Sequence, residues 1–367
     1  MGRQKKEEEV AEKEVDQIDA ILNEKAFKGL HYGSRSGDEI EKPDVISTGS
    51  FIFDTVLEGG FRSSTWSRFY AFPEHGKTAQ GLFWGVQWQK YYEKKGMPAM
   101  VIPLNAEGRI TPDLILRSGL DTSKHKFRMI DSNNADFIFT FIERLTQNNP
   151  DDIRYYFLLD STDACIRSFD IGKTFAEPEK MAGSSAIYSA AGKRLSLLFN
   201  RTGHHLYATS QLRDNMNGGK PQPAGGKALL FYSSLSGGMI PHWSDFEIRE
   251  NPSDKKSKAI GRKVQIRLDK TYNEATGIVV EVPVQYGRVG GVWREYEAML
   301  MAIEWKVLQE TSVGRFQFSE SFCEELKQNN VEFEEKFHGE KAIRTYFDTN
   351  PPLVEFIFFH VSKLRGF

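Results

Sequence analysis

The chain has 367 residues, 40% of them hydrophobic and 13% aromatic, and its 48 Lys and Arg against 50 Asp and Glu leave a net charge of −2. This length and apolar content suit one large domain plus one or two small ones. The near-neutral balance excludes binding driven by global charge, so a nucleic-acid site has to come from local clusters of Lys and Arg.

Residues 7–28 place Val10, Val15, Ile18, Ile21, Leu22 and Phe27 at helical spacing among charges, which predicts an amphipathic helix ahead of the main domain. It packs either on its own core or on a neighbouring subunit. From 45 to 250 strand and helix patterns alternate, as in a doubly wound α/β domain. Strands are expected near 68–72, 99–103, 127–130, 155–160 and 205–211, and helices near 77–94, 111–119, 134–147 and 184–200. Two Gly-rich intervals interrupt the pattern, 172–184 and 213–226. The second is too polar and too rich in Gly and Pro to hold a core-facing conformation. Residues 262–283 read as a β-hairpin turning around Asn273–Gly277. Beyond it, helical segments near 296–310, 318–328, 339–348 and 351–364 predict a small C-terminal helical or α+β domain. Cys165 and Cys323 form no ligand spacing, which predicts reduced thiols and no zinc site. The N-terminus is charged, and the longest apolar run, Leu353–Val361, contains Glu355. No signal peptide, no membrane partner and a cytoplasmic location are expected.

The chemistry concentrates at Glu74-His75-Gly76-Lys77-Thr78-Ala79, which follows an apolar strand and opens a helix. A nucleoside triphosphate needs inward backbone N–H groups, a lysine for the β- and γ-phosphates and a hydroxyl for Mg²⁺. Lys77 and Thr78 supply the last two. Asp160-Ser161 ends an apolar strand, where a carboxylate can hold the metal through water. Glu107, just past another strand, can polarise the attacking water. Gln211 ends a strand directly before the second interval and can report the γ-phosphate to it.

Further segments carry a family resemblance: Ile46–Ser50, Phe53-Asp54, Leu57 and Gly59-Gly60, Asn105–Glu107, Leu159–Ser161, Ser210–Arg213, and Gly225–Tyr232, the last read as a loop end entering a strand. Together with Gly339–Pro351 they resemble RecA-type recombinases, most closely phage-encoded, UvsX-like members, over roughly residues 15–364. The resemblance implies a RecA-like P-loop ATPase core with a mainly parallel twisted sheet at 45–290. An N-terminal helical polymerisation arm would occupy 1–44 and a small C-terminal domain 291–367. It implies ATP and Mg²⁺ as cofactors, with ATP on Glu74 to Ala79, Asp160 and Ser161. Glu107, Lys77 and Gln211 would act in hydrolysis, and Thr78 and Asp160 would hold the metal. Lys270 would reach across a subunit interface to the neighbour's ATP. The two intervals match DNA-binding loops, which assigns Lys180 and Met181 to the first. Arg213, Asn217, Gly218, Gly219, Lys220, Gly225, Gly226 and Lys227 fall to the second. The implied partners are single-stranded DNA, homologous duplex DNA, further copies in a helical filament, and single-strand-binding and mediator proteins.

The chain departs from the family pattern at several places. Ala71 stands where the loop's first glycine is usual, Thr111 and Leu114 where an acid and an aromatic meet the base, Ala186 for an arginine, and Leu268 for a second interface lysine. Separately, Lys255, Lys256, Lys258, Arg262, Lys263 and Arg267 form either a DNA groove or a solvated basic face. A filament protein with weak or absent ATPase and a RecA-fold helicase stay open as alternatives to the recombinase.

Overall fold

A computed structural model describes residues 17–27, 33–174, 183–213, 222–223, 226–240 and 246–365. It divides into two units, residues 1–43 and 44–367. In the first, residues 17–22 are helical with Ile18 and Ile21 exposed. A 3₁₀ turn, Gly37–Glu39, follows, in which Glu39 accepts the Ser36 backbone N–H at 2.7 Å. The helix predicted over 7–28 ends at Leu22, since residues 23–27 form turns with Phe27 exposed, and residues 7–16 and 28 lie outside the described residues.

The second unit is built on a nine-stranded sheet. After the two-stranded pair β1 (Val45–Ile46) and β2 (Phe61–Arg62), the chain lays down β3 (Thr65–Ala71), β4 (Ala99–Asn105), β5 (Arg154–Asp160), β6 (His205–Arg213), β7 (Gln222–Pro223) and β8 (Leu235–Met239). It continues with β9 (Glu247–Arg249), β10 (Ala259–Lys270) and β11 (Val279–Gln285). The order across the sheet is β11-β10-β8-β3-β6-β5-β4, with β7 on β6 and β9 on β10. Strands β8, β3, β6, β5 and β4 run parallel, and β10 and β11 add an antiparallel edge. Such strands are buried on both faces, which explains near-continuous apolar runs such as Tyr155–Leu159.

Helix Lys77–Lys94 covers one face, with Leu82, Trp84 and Trp88 against Phe69, Tyr156 and Tyr207. Gly81 lets it approach closely, because a Cβ there would meet Leu158 Cδ1 at 2.6 Å. Helices Ala135–Gln147 and Gly183–Thr202 cover the other face through Ile138, Phe139, Ile142, Leu195 and Phe199.

Three expectations need correction. Residues 127–130 make only isolated bridges, Phe127 to Val101 and Ile130 to Leu104, because two apolar residues spaced three apart reach β4 without a continuous ladder. Gly226–Tyr232 is a helix rather than a strand, with Leu229 turned inward. The helix expected over 296–310 stops at Glu304, and β12 (Leu308–Ser312), β13 (Arg315–Phe318) and β14 (Lys336–His338) form a three-stranded sheet. Helices Arg294–Glu304, Glu320–Gln328, Glu340–Thr349 and Pro351–Arg365 surround it with their own apolar cluster, including Met299, Phe322, Phe347 and Ile357.

Where that cluster meets the sheet domain, two carboxyl groups are buried. Glu297 accepts from the Phe51 N–H at 3.0 Å and from the Ser50 hydroxyl, capping helix Phe51–Val56 from outside. Asp54 accepts from the Thr48 N–H and the Thr48 hydroxyl, each at 2.7 Å, and from Ser47. Burial raises the pKa of both carboxyls, and the Asp54 carboxylate adds to the rise at Glu297.

Candidate active site

Register levels the carboxyl ends of the parallel strands. Ala71 pairs with Gln211, and Asn105 pairs with Asp160. The loops leaving these ends therefore face one another at one edge of the sheet, where ligands of open α/β folds bind. Ala71 is the last residue of extended β3 and fully buried, so the missing glycine costs no left-handed backbone there. The left-handed positions fall later, at Glu74 (φ 65°) and Gly76 (φ 88°), and Gly76 is the N-cap of helix Lys77–Lys94. That helix start supplies free N–H groups and the positive end of the helix dipole.

Lys77 folds back over the loop, its Nζ donating to the carbonyls of Ala71 at 3.2 Å and Phe72 at 3.0 Å. Burial pulls its pKa down, against the nearby carboxylates of Asp160, Glu107 and Asp163. Thr78 Oγ1 donates to Asp160 Oδ2 at 2.9 Å, and Thr209 Oγ1 donates to Asp160 Oδ1 at 2.6 Å. Asp160 is 3% exposed, and burial raises its pKa while the two hydroxyls and Lys77 oppose the rise. The Asp160–Ser161 peptide bond is cis.

Glu107 sits across from this pair. Its Oε1 accepts Gln211 Nε2 at 2.8 Å and the Ser161 hydroxyl, and its backbone N–H donates to the Asp160 carbonyl at 3.0 Å. Arg109, largely exposed, approaches Glu107 at 3.5 Å. The Gln211 backbone N–H is fixed by Asp163 Oδ2 at 2.7 Å. One connected cluster thus joins Lys77, Thr78, Glu107, Asp160, Ser161 and Gln211. It couples a buried ammonium and carboxylates beside a helix N-terminus, a setting suited to anion binding and to activating water.

Thr78 and Asp160 offer a hydroxyl and a carboxylate on one spot. Mg²⁺ usually takes only one or two protein ligands, with waters and phosphates filling the rest. The pair therefore fits it, even though no group of three His, Cys, Asp or Glu forms among the described residues.

The other predicted residues fall elsewhere. Glu74, His75 and Ala79 line the loop and first turn, with His75 Nδ1 against the Pro73 carbonyl at 2.7 Å. Lys270 does not join the cluster. It pairs with Ser236 near the start of β8, toward the opposite edge, and its Nζ donates to the carbonyls of Leu230 and Phe231. Leu268 is fully buried. Thr111 is the N-cap of helix Pro112–Ser118, accepting the Leu114 N–H at 3.3 Å. Arg213 ends β6, Gly226 opens its helix and Lys227 is exposed on that helix. Lys180, Met181, Asn217, Gly218, Gly219, Lys220 and Gly225 lie outside the described residues. Thr209 and Asp163 were not evident from sequence, because their partners come from register between distant strands, and Arg109 stood only as an exposed arginine two residues past Glu107.

No helix among the described residues is long and apolar enough to cross a membrane. No protein-family model matches the chain, and no curated protein matches it.

Proposed function

We propose that this protein is a DNA-dependent ATPase of the RecA kind, which polymerises on single-stranded DNA and promotes homologous pairing and strand exchange. The observation that carries the reading is the hydrogen-bonded link from Gln211, at the head of the chain entering 213–226, to Glu107 and onward to Asp160 and Thr78. A phosphate loop alone fits many nucleotide-binding proteins. A strand-end amide tied to the candidate base, and leading directly into a Gly-rich loop, fits a protein whose nucleotide chemistry is read by a second ligand.

In this reading the N–H groups of Gly76 to Thr78 and the Lys77 ammonium hold the β- and γ-phosphates. Thr78 and Asp160 would hold Mg²⁺, which when bound would supply charge neutralisation at the phosphates. Glu107 orients water and accepts its proton. A γ-phosphate in reach of Gln211 Nε2 competes with Glu107 for that amide, which frees the carboxylate and pulls on the chain beyond Arg213. Lys270 serves the neighbouring subunit's site, and the N-terminal arm docks the subunits.

The test measures ATP turnover with and without single-stranded DNA, on the wild type and on Lys77→Ala, beside electron microscopy of the assemblies. DNA-stimulated turnover that Lys77→Ala abolishes supports the recombinase. Filaments without turnover make the protein a non-catalytic filament, and closed rings that unwind duplex make it a helicase.

A further inference from the structure

A cleft beside the phosphate loop carries a cation that the mechanism above does not use. The cleft is small, about 130 Å³, and opens to solvent. Its walls are apolar, from Phe83 and Trp84 on the helix and Val264 and Val282 on the β10–β11 hairpin. Its rim is Gly76 and Ala79, so the first helical turn opens straight into it. Arg262 lines the same cleft, its Nη2 3.6 Å from where a Cβ on Gly76 would lie.

Topology explains the approach. β10 runs antiparallel to β8, and Ile266 pairs with Met239, the last residue of β8. The residues before Ile266 therefore extend past the carboxyl edge of the sheet, over the phosphate loop. Among the described residues no carboxylate pairs with Arg262. Its register partner Glu247 is engaged by Arg249, and the adjacent Lys263 has Glu281 at 3.6 Å. A helix N-terminus and a half-buried guanidinium thus face the same cleft, and both favour an anion there. A guanidinium fork matches phosphate oxygens in pairs.

We propose that Arg262 is a nucleotide-binding residue acting in cis, its guanidinium pairing with the polyphosphate of a nucleoside triphosphate from the cleft side. The inference rests on the ATP reading above.

The test titrates N-methylanthraniloyl-ATP against the wild type, Arg262→Gln and Arg262→Lys. Single-stranded DNA binding without nucleotide is measured in parallel, as is the denaturant midpoint of each variant. Arg262→Gln is expected to weaken nucleotide binding about tenfold, the size of one charge-assisted hydrogen bond, with Arg262→Lys recovering part. DNA binding without nucleotide and the denaturant midpoint are expected to stay at wild-type values. Equal nucleotide affinity in wild type and Arg262→Gln overturns the proposal. So does a loss confined to DNA binding, which returns Arg262 to the basic face. Wild-type protein that binds nucleotide without DNA-stimulated turnover removes the recombinase reading and leaves the Arg262 role standing. Wild-type protein that binds no nucleotide removes both.

Discussion

Two places in the sheet domain bury carboxyl groups beside a helix N-terminus, and they differ in what the carboxyls face. At the junction with the C-terminal cluster, Glu297 and Asp54 are hydrogen-bonded by hydroxyls and backbone N–H groups of residues 47–51, with the Arg294 charge nearby. At the carboxyl edge, Asp160 and Glu107 share their surroundings with the Lys77 ammonium and a glycine-capped loop. The first arrangement is closed: its donors are spent on its acceptors, and it holds two segments together. The second keeps a cation that donates only to carbonyls and a glutamate held by a hydroxyl, an amide and an exposed arginine. Buried charge that is fully answered within the fold does structural work, whereas buried charge set against loosely held donors is poised for a ligand.

The largest expected effect separates the two directly. Lys77→Ala should cut ATP turnover by at least about a hundredfold while the denaturant midpoint holds. Loss of stability instead would mean that the edge cluster is as structural as the junction. Glu107→Gln should slow turnover on the order of a hundredfold and leave DNA binding intact, read by filter binding beside a turnover assay. Equal loss of both would remove Glu107 from the role of base. At the junction, Glu297→Ala should destabilise by about 1–3 kcal/mol through the stranded Phe51 N–H and Ser50, seen as a lower denaturant midpoint.

The junction also predicts a pH dependence. Burial pushes Asp54 from 3.8 up to about 7 and Glu297 from 4.5 up to about 8. Acids whose folded pKa is raised stabilise the fold fully below their unfolded values and lose that contribution as pH rises through the folded ones. Stability should therefore fall between about pH 4 and pH 8, and Glu297→Gln should flatten the curve. A wild-type profile that is flat across this window would show the carboxyls to be far better solvated than their burial implies. The smallest effect belongs to Arg109→Ala. Its exposed contact with Glu107 should change turnover by no more than about twofold.

Much of this was legible in the sequence where chemistry and local pattern coincide. The strand, loop and helix around Lys77 read correctly because apolar runs, a glycine and an amphipathic helix follow in order. Asp160 and Gln211 stood out as polar residues closing apolar strands. The tail was misread because β12 exposes every residue but Leu308, leaving no alternation to signal a strand. Leu229 to Tyr232 misled in the opposite sense, since a short apolar run suits helix and strand alike. Asp163 and Thr209 were silent, and Arg262 stood out only as part of a basic cluster, because their places depend on which strands lie side by side, and single-chain periodicity does not encode that.

The pairing of β3 with β6 has a mechanical consequence. Seven consecutive residues of β6, His205 to Gln211, are matched to Thr65 through Ala71, so this strand is clamped along its length to the strand that carries the phosphate loop. A clamped strand is stiff, and a tug on its last side chain does not travel back into the sheet. The sheet therefore acts as an anchor that holds Gln211 level with Ala71, at the base of the phosphate loop.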